Sequence, residues 1–264
     1  VCSSDLPAPY GLVRYGVAPD HPRIKGIITA LRQILGSGAV RFFGNVEYGR
    51  DLTLGDLQDL YDAVVFSTGA VKDAPLEVEG VELDVAAPLL CAGITTYSPL
   101  RHWNVAPGTK VAIIGLGGLG HMGVKLAHAM GAHVVAFTTS PDKIADAKAL
   151  GAHEVVVSRS AEEMAAHAQS FDLIVNTVAA PHDLDAFLVL LKRDGTMALV
   201  GAPATPHPSP NVFNLIMKRR SLAGSMIGGI PETQEMLDFC AEHGIVAEIE
   251  MIKAQDIDAA YERM

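Results

Sequence analysis

Cysteine is scarce, three in 264 residues. Cys2, Cys91 and Cys240 are too few and too scattered for a disulfide framework or a self-contained zinc knuckle. Basic residues are outnumbered as well, 20 against 30 acidic, for a formal charge of −10. A surface with that balance repels nucleic acid and anionic membrane, so neither is an expected partner. No apolar run reaches the roughly 18 to 20 residues that span a bilayer, and no basic, apolar, small-residue leader opens the chain. These absences leave small-molecule chemistry in the cytosol as the expectation. At 49% hydrophobic residues the composition is globular, and the length allows one large or two ordinary domains with a real core.

What is present is organised around residues 110–131, KVAIIGLGGLGHMGVKLAHAMG. The short apolar run 111–114 reads as a buried strand, a glycine turn follows, and a helix starts at once. Gly115, Gly117 and Gly120 match G-x-G-x-x-G, in which each glycine has its own job. Gly115 turns the chain, Gly117 lets backbone approach a diphosphate, and Gly120 lets the helix lie close to the strand. Gly118 and Leu119 carry amides at the helix N-terminus, where free N–H groups and partial positive charge face an anion. A second strand, 134–137, arrives on schedule.

The alternation continues. Helix 141–150, strand 154–157, helix 161–168, strand 172–176, helix 184–191 and strand 196–200 are expected, then helix 212–218, strand 221–225 and helix 232–243. Short apolar strands between amphipathic helices predict an α/β fold: a doubly wound parallel Rossmann sheet covered on both faces. Ser140 before Pro141 reads as a helix start, and Gly151 as a helix stop. Upstream, residues 23–35 have helical apolar spacing, 40–46 suggest a strand, Leu54, Leu57 and Leu60 share a helical face, and 63–67 read as a buried strand.

Which nicotinamide cofactor fits is decided at the end of the second strand, where an NAD enzyme places a carboxylate on the ribose hydroxyls. Here stand Thr138, Thr139 and Ser140, then Lys143. Hydroxyls and an ammonium with no carboxylate favour the 2′-phosphate of NADP. His121 directly follows the glycine turn, but a helix N-terminus disfavours its charged form, and packing is the expected role. Cys240, with Met236, Leu237 and Phe239 on one amphipathic helix, is expected in the core. Lys218, Arg219 and Arg220 are expected to form a solvated helix end, with contact to a cofactor phosphate as the second reading.

Residues 87–264, through APLLCAGITTYSPLRHW, GLGGLGHMGVKLAHAMGAHVVAFTTSPDK and GSMIGGIPETQEMLDFC, resemble the zinc-dependent medium-chain alcohol dehydrogenases, specifically the cinnamyl-alcohol-dehydrogenase-like aldehyde reductases. The resemblance implies an NADP-dependent enzyme acting on a small aldehyde or alcohol, hydride transfer at a zinc-bound carbonyl, and dimers formed through the edge of this sheet. It implies that Cys91 is one ligand of the catalytic zinc, the other two belonging to a part of the family that this chain does not show. It places Thr95 near the nicotinamide end, and Thr177, Val178, Gly201, Ser225 and Ile227 along the cofactor trough; for Val178 and Ile227 core packing is an equal account. Residues 7–83 resemble a partial fragment of the FAD domain of adrenodoxin-type NADPH-ferredoxin reductases. GLVRYGVAPDHP at 11–22 and the STGA at 67–70 carry that likeness. The first glycine-rich loop of those enzymes is missing, so FAD is not expected to bind. Residues 1–6, VCSSDL, resemble a translated sequencing-adapter scar. The chain is thus expected to be a chimera whose Rossmann portion stops before the family's last strand, binding NADP with little turnover. A flavoprotein fragment and a non-catalytic NADP-binding module remain as alternatives.

Overall fold

The computed structural model describes residues 2–4, 26–66 and 83–263. The chain divides into two compact units, Val1–Pro75 and Leu76–Met264. In the first, β1 (Cys2–Ser4) pairs in parallel with β2 (Phe42–Gly44). Helix α1 (Ile27–Gly36) follows the expected spacing, and α2 (Leu54–Leu60) begins at a capping box in which the Thr53 hydroxyl accepts from Asp56 N and the Asp56 carboxylate accepts from Thr53 N. Neither helix has a buried residue. The strand expected over 63–67 does not form over 63–66, where Val65 is 86% exposed. An apolar run becomes a strand only when a neighbour completes its hydrogen bonds, and Phe66 instead turns its ring edge onto Tyr48. Residues 11–22 and 67–70, which carry the ferredoxin-reductase likeness, lie outside the described residues, as do residues 1, 5 and 6 of the expected scar.

The second unit opens with α3 (Leu83–Ala86), a 3₁₀ turn (Ala87–Leu90) and α4 (Ala92–His102). Then β3 (Lys110–Ile114), α5 (Gly118–Ala129), β4 (His133–Thr138), α6 (Ile144–Ala149), β5 (Glu154–Val157), α7 (Ala161–Ala166) and β6 (Phe171–Asn176) follow. After these come α8 (Asp185–Leu188), β7 (Leu191–Leu199), α9 (Val212–Ile216), β8 (Ser221–Gly224), α10 (Ile230–His243) and α11 (Ile257–Arg263). Strands β3 to β8 form one parallel sheet in the order β5-β4-β3-β6-β7-β8. That is the doubly wound order 3-2-1-4-5-6 counted from β3, with its switch point between β3 and β6.

Alternate side chains of the central strands enter two cores. Val111 and Ile113 of β3 and Val134 and Ala136 of β4 join Tyr97, Leu126 and Met236 on one face; Ala112, Ile114, Val135 and Phe137 join Phe171, Leu188 and Met197 on the other. Both faces are covered, which is why these strands read as unbroken apolar runs.

The second unit departs from the sequence reading at α4 and around β7. Helix α4 was not foreseen; Gly93, Ile94, Thr95, Thr96, Tyr97, Pro99 and Leu100 are all buried, so no solvent face prints a period of 3.6, and Pro99 disguises it further. The helix expected over 184–191 ends at Leu188, and the strand expected from 196 begins at Leu191. Phe171 pairs with Leu191 and Leu173 with Thr196, so β7 bulges over its polar residues, with Asp194 left-handed at φ 65° and Lys192 Nζ 2.8 Å from both oxygens of Asp172. The bulge also overturns the solvated reading at Arg220, while Arg219 stays solvated with its side chain 83% exposed. Arg219 pairs with Asp194, and the half-buried Arg220 guanidinium donates to the carbonyls of Val189, Leu191 and Asn214.

Candidate functional site

At the switch point β3 runs into the glycine turn. Gly115 has φ +90°, and a Cβ there would lie 2.9 Å from both Thr177 Oγ1 and Val178 Cγ2. A Cβ on Gly120 would lie 2.0 Å from Gly115 O. Both positions are closed to side chains by neighbouring atoms. Gly117 and Gly118 differ: an added Cβ meets nothing within 4 Å at either. Gly117 caps α5 with extended backbone, and the first bond of the helix runs from His121 N to Gly117 O at 3.0 Å. The amides of Gly118, Leu119 and Gly120 therefore have no intrahelical acceptor and sit at the positive end of a 12-residue helix. Open space in front of free amides is what an entering diphosphate requires.

The carboxyl ends of β6 and β7 form the adjoining wall. The Thr177 hydroxyl and amide both donate to Ile114 O, at 2.8 and 3.0 Å, tying β6 to β3 below the turn. Gly201 presses against the same segment, since a Cβ there would lie 2.4 Å from Val178 O. Gly115, Gly120, Thr177, Val178 and Gly201 are thus brought together. Val178 also packs at the margin of one core. Ser225 N donates to Leu199 O at 3.0 Å beyond β8. Ile227 is 54% exposed, so core packing does not account for it. Thr95 is buried on α4, beside Thr96, whose methyl faces Gly123 of α5.

On the other side β4 ends at Thr138, whose hydroxyl accepts from Ser140 N at 3.1 Å. Thr139 is exposed. Ser140 stands at the cap position, but its side chain makes no capping bond, and the expected helix 141–150 is a 3₁₀ turn (Pro141–Lys143) followed by α6. That tight turn swings Lys143 back over the glycine loop, where Nζ donates to Leu116 O at 3.0 Å. Two features read separately from sequence, the fingerprint and the lysine, are joined by one hydrogen bond. A cavity of about 460 Å³ lies beside them, lined by Leu116, His121, Lys143, Asp146, Leu150 and Glu248 among others. His121 is more than packing. Its Nδ1 lies 3.3 Å from Gly117 O and its Nε2 accepts from Glu248 N at 3.2 Å, so it ties the segment after α10 to the turn; Lys125, one helical turn on, donates to Val246 O and pairs with Glu248. Sequence reasoning missed Lys125 and Glu248, because nothing local marks a contact 123 residues apart.

Cys91 is exposed where the 3₁₀ turn meets α4. Among the described residues no group of three or more His, Cys, Asp or Glu side chains could hold a metal ion. The donor set among the described residues therefore does not fit a catalytic zinc, which needs three protein ligands. Cys240 is fully buried, its Sγ 3.6 Å from Met236 Sδ, as expected. Among the described residues no helix is long and apolar enough to cross a membrane.

Comparison with known proteins agrees with this fold. Residues 118–242 match the family described as zinc-binding dehydrogenase. The chain is 78% identical over 183 residues to "Aldehyde reductase YahK" of Escherichia coli, covering 69% of this chain and 52% of that one. It is 43% identical over 293 aligned positions to "NADP-dependent alcohol dehydrogenase C" of Mycobacterium bovis, covering all of this chain and 84% of that one. Among solved structures, a CAD from Helicobacter pylori complexed with NADP(H) superposes with a TM-score of 0.63 at 44% identity, over 69% of this chain and 52% of that one. The chain thus spans about half the length of several relatives that it matches.

Proposed function

The chain belongs to the zinc-binding dehydrogenase family, and from that premise we propose that residues 87–264 are the NADP-holding portion of a cytosolic alcohol dehydrogenase that reduces small aldehydes. The observation that carries the reading is the placement of Lys143 Nζ, 3.0 Å from Leu116 O, at a glycine turn whose neighbouring strand end offers no carboxylate. The amides of Gly118 and Leu119 would hold the diphosphate. Thr138, Thr139, Ser140 and Lys143 would hold the 2′-phosphate, where a carboxylate would repel it. Thr177, Val178 and Gly201 would line the trough toward the nicotinamide, with Thr95, Ser225 and Ile227 at its far end. When bound, the dinucleotide supplies a hydride to a carbonyl carbon; the residues named here bind and orient it. Cys91 is one candidate zinc ligand and makes no site by itself.

Calorimetry with NADPH and NADH tests this: NADPH binds more tightly, and a chelator leaves the affinity unchanged. Equal affinities would refute the cofactor assignment, and robust NADPH-dependent aldehyde reduction by the chain alone would refute the expectation of little turnover. Homodimers through the β8 edge are supported by the exposure of Phe213, Ile216, Met217 and Met226 next to it; sedimentation as a monomer would contradict them. The chimera reading of residues 7–83 is supported by the phrase at 11–22. A native gene running unbroken through residues 1–90 would remove it.

A further inference from the structure

Asn176, the last residue of β6, is a polar side chain only 1% exposed at the end of an apolar strand. Its backbone carbonyl accepts from Val200 N and Gly201 N, at 3.0 and 3.1 Å, and its Oδ1 accepts from Val178 N at 3.2 Å. With the amide oxygen so engaged, the NH₂ group faces His182 Nε2 at 2.9 Å. The other ring nitrogen, Nδ1, lies 2.8 Å from Ala180 O. A carbonyl can only accept and an amide NH₂ can only donate, so the imidazole must be neutral with its proton on Nδ1. The link continues: His182 N donates to His207 Nδ1 at 3.4 Å, and the two rings meet at 4.8 Å. His207 belongs to the segment after β7 that also carries Gly201. One chain of contacts, Val178 to Asn176 to His182 to His207, joins the two loops that border the nucleotide trough.

We propose that His182 is a positioning residue for that trough: by accepting from Asn176 it keeps the backbone of 176–178 in the path that lets Thr177, Val178 and Gly201 line the cofactor, and its protonation releases them. The inference rests on the cofactor reading above. A proton on Nε2 would set donor against donor, and Asn176 cannot turn its amide over without losing Val178 N. Among the described contacts the titratable side chain facing His182 is His207; Phe187 covers it edge-on at 5.8 Å. Asp183, next in the chain, is turned to Asp185 N, and the Asp185 carboxylate is taken by Asn211 N and Asn214 Nδ2.

The test is the affinity for NADP⁺, by calorimetry, of wild type, His182→Gln and His182→Ala at about pH 8 and about pH 5.5, which spans the range where imidazoles take up a proton. Glutamine offers an acceptor that does not titrate. Titration of the nucleotide's own phosphate is common to all three proteins. Wild type should lose about fivefold to tenfold more affinity than His182→Gln on acidification, the size expected when a buried polar pair is broken. His182→Gln should match wild type at the higher pH, and His182→Ala should be weak at both. Hydrogen exchange at the Val178 amide gives a readout without ligand, fast in His182→Ala and slow in His182→Gln. Parallel pH profiles for wild type and His182→Gln would overturn the proposal, as would unchanged Val178 protection in His182→Ala. If wild type takes up no nucleotide at the higher pH, the cofactor reading falls, and the exchange data alone judge the His182 contact.

Discussion

Gly117→Ala and Gly120→Ala separate a ligand site from a mere turn. At position 120 the new methyl would lie 2.0 Å from Gly115 O, about 1.4 Å short of the 3.4 Å where ordinary contact begins, and 2.8 Å from Gly115 C. Backbone must move, and overpacking of that kind costs about 1 to 3 kcal/mol, a fall in Tm of about 2 to 12 °C for a unit of this size. At position 117 the methyl meets nothing within 4 Å, and the residue's extended backbone suits alanine. Stability should change by no more than about 1 kcal/mol. The space it fills, however, is where a diphosphate must come within hydrogen-bond reach of the helix amides. Loss of one charge-assisted bond is worth about 1.5 to 3 kcal/mol, so NADPH should bind about tenfold to a hundredfold more weakly. Scanning fluorimetry with and without NADPH, backed by calorimetry, reads both effects. Wild-type affinity in a well-folded Gly117→Ala protein, or a loss of stability there equal to that of Gly120→Ala, would refute the reasoning.

Other outcomes follow from the same structure. Lys143→Asp should weaken NADPH by at least about tenfold while NADH changes less, measured by titration; equal losses would contradict the 2′-phosphate assignment. His167, stacked on Phe171 at 5.7 Å, is held below the ordinary imidazole pKa first by burial and then by Lys110, and His153 is lowered by burial and the neighbouring His133 and His128. Neutral rings in the folded state favour it fully above about pH 6.5, and the benefit is lost as pH falls through the depressed values. Tm should therefore drop on acidification below about pH 6.5, and less steeply in His167→Phe; equal slopes would dismiss His167 as a contributor. Burial pushes the Cys240 thiol up to about 12, so mass mapping after alkylation of the native protein should find Cys91 modified and Cys240 intact until unfolding.

Much of this was legible because the fold writes itself in apolar runs. Strands β3, β4 and β6 are covered on both faces, and each ended within a residue of its expectation. The fingerprint and Lys143 were legible because backbone turns and charge leave local marks. Helix α4 left none, being buried on too many sides to show a period. The bulge in β7 was hidden because Lys192, Arg193, Asp194 and Gly195 resemble a loop, while their place in the sheet is set by Asp172 and Arg219, which lie far away in sequence. Asn176 did leave a signal, a polar residue closing a buried strand; its partner His182 could be found only in three dimensions.

The most direct test of the account is a crystal structure of the chain with saturating NADP. It should place the diphosphate oxygens within hydrogen-bond distance of the amides of Gly118 and Leu119, with the 2′-phosphate against Lys143. A dinucleotide bound elsewhere, or an empty turn under those conditions, would contradict it.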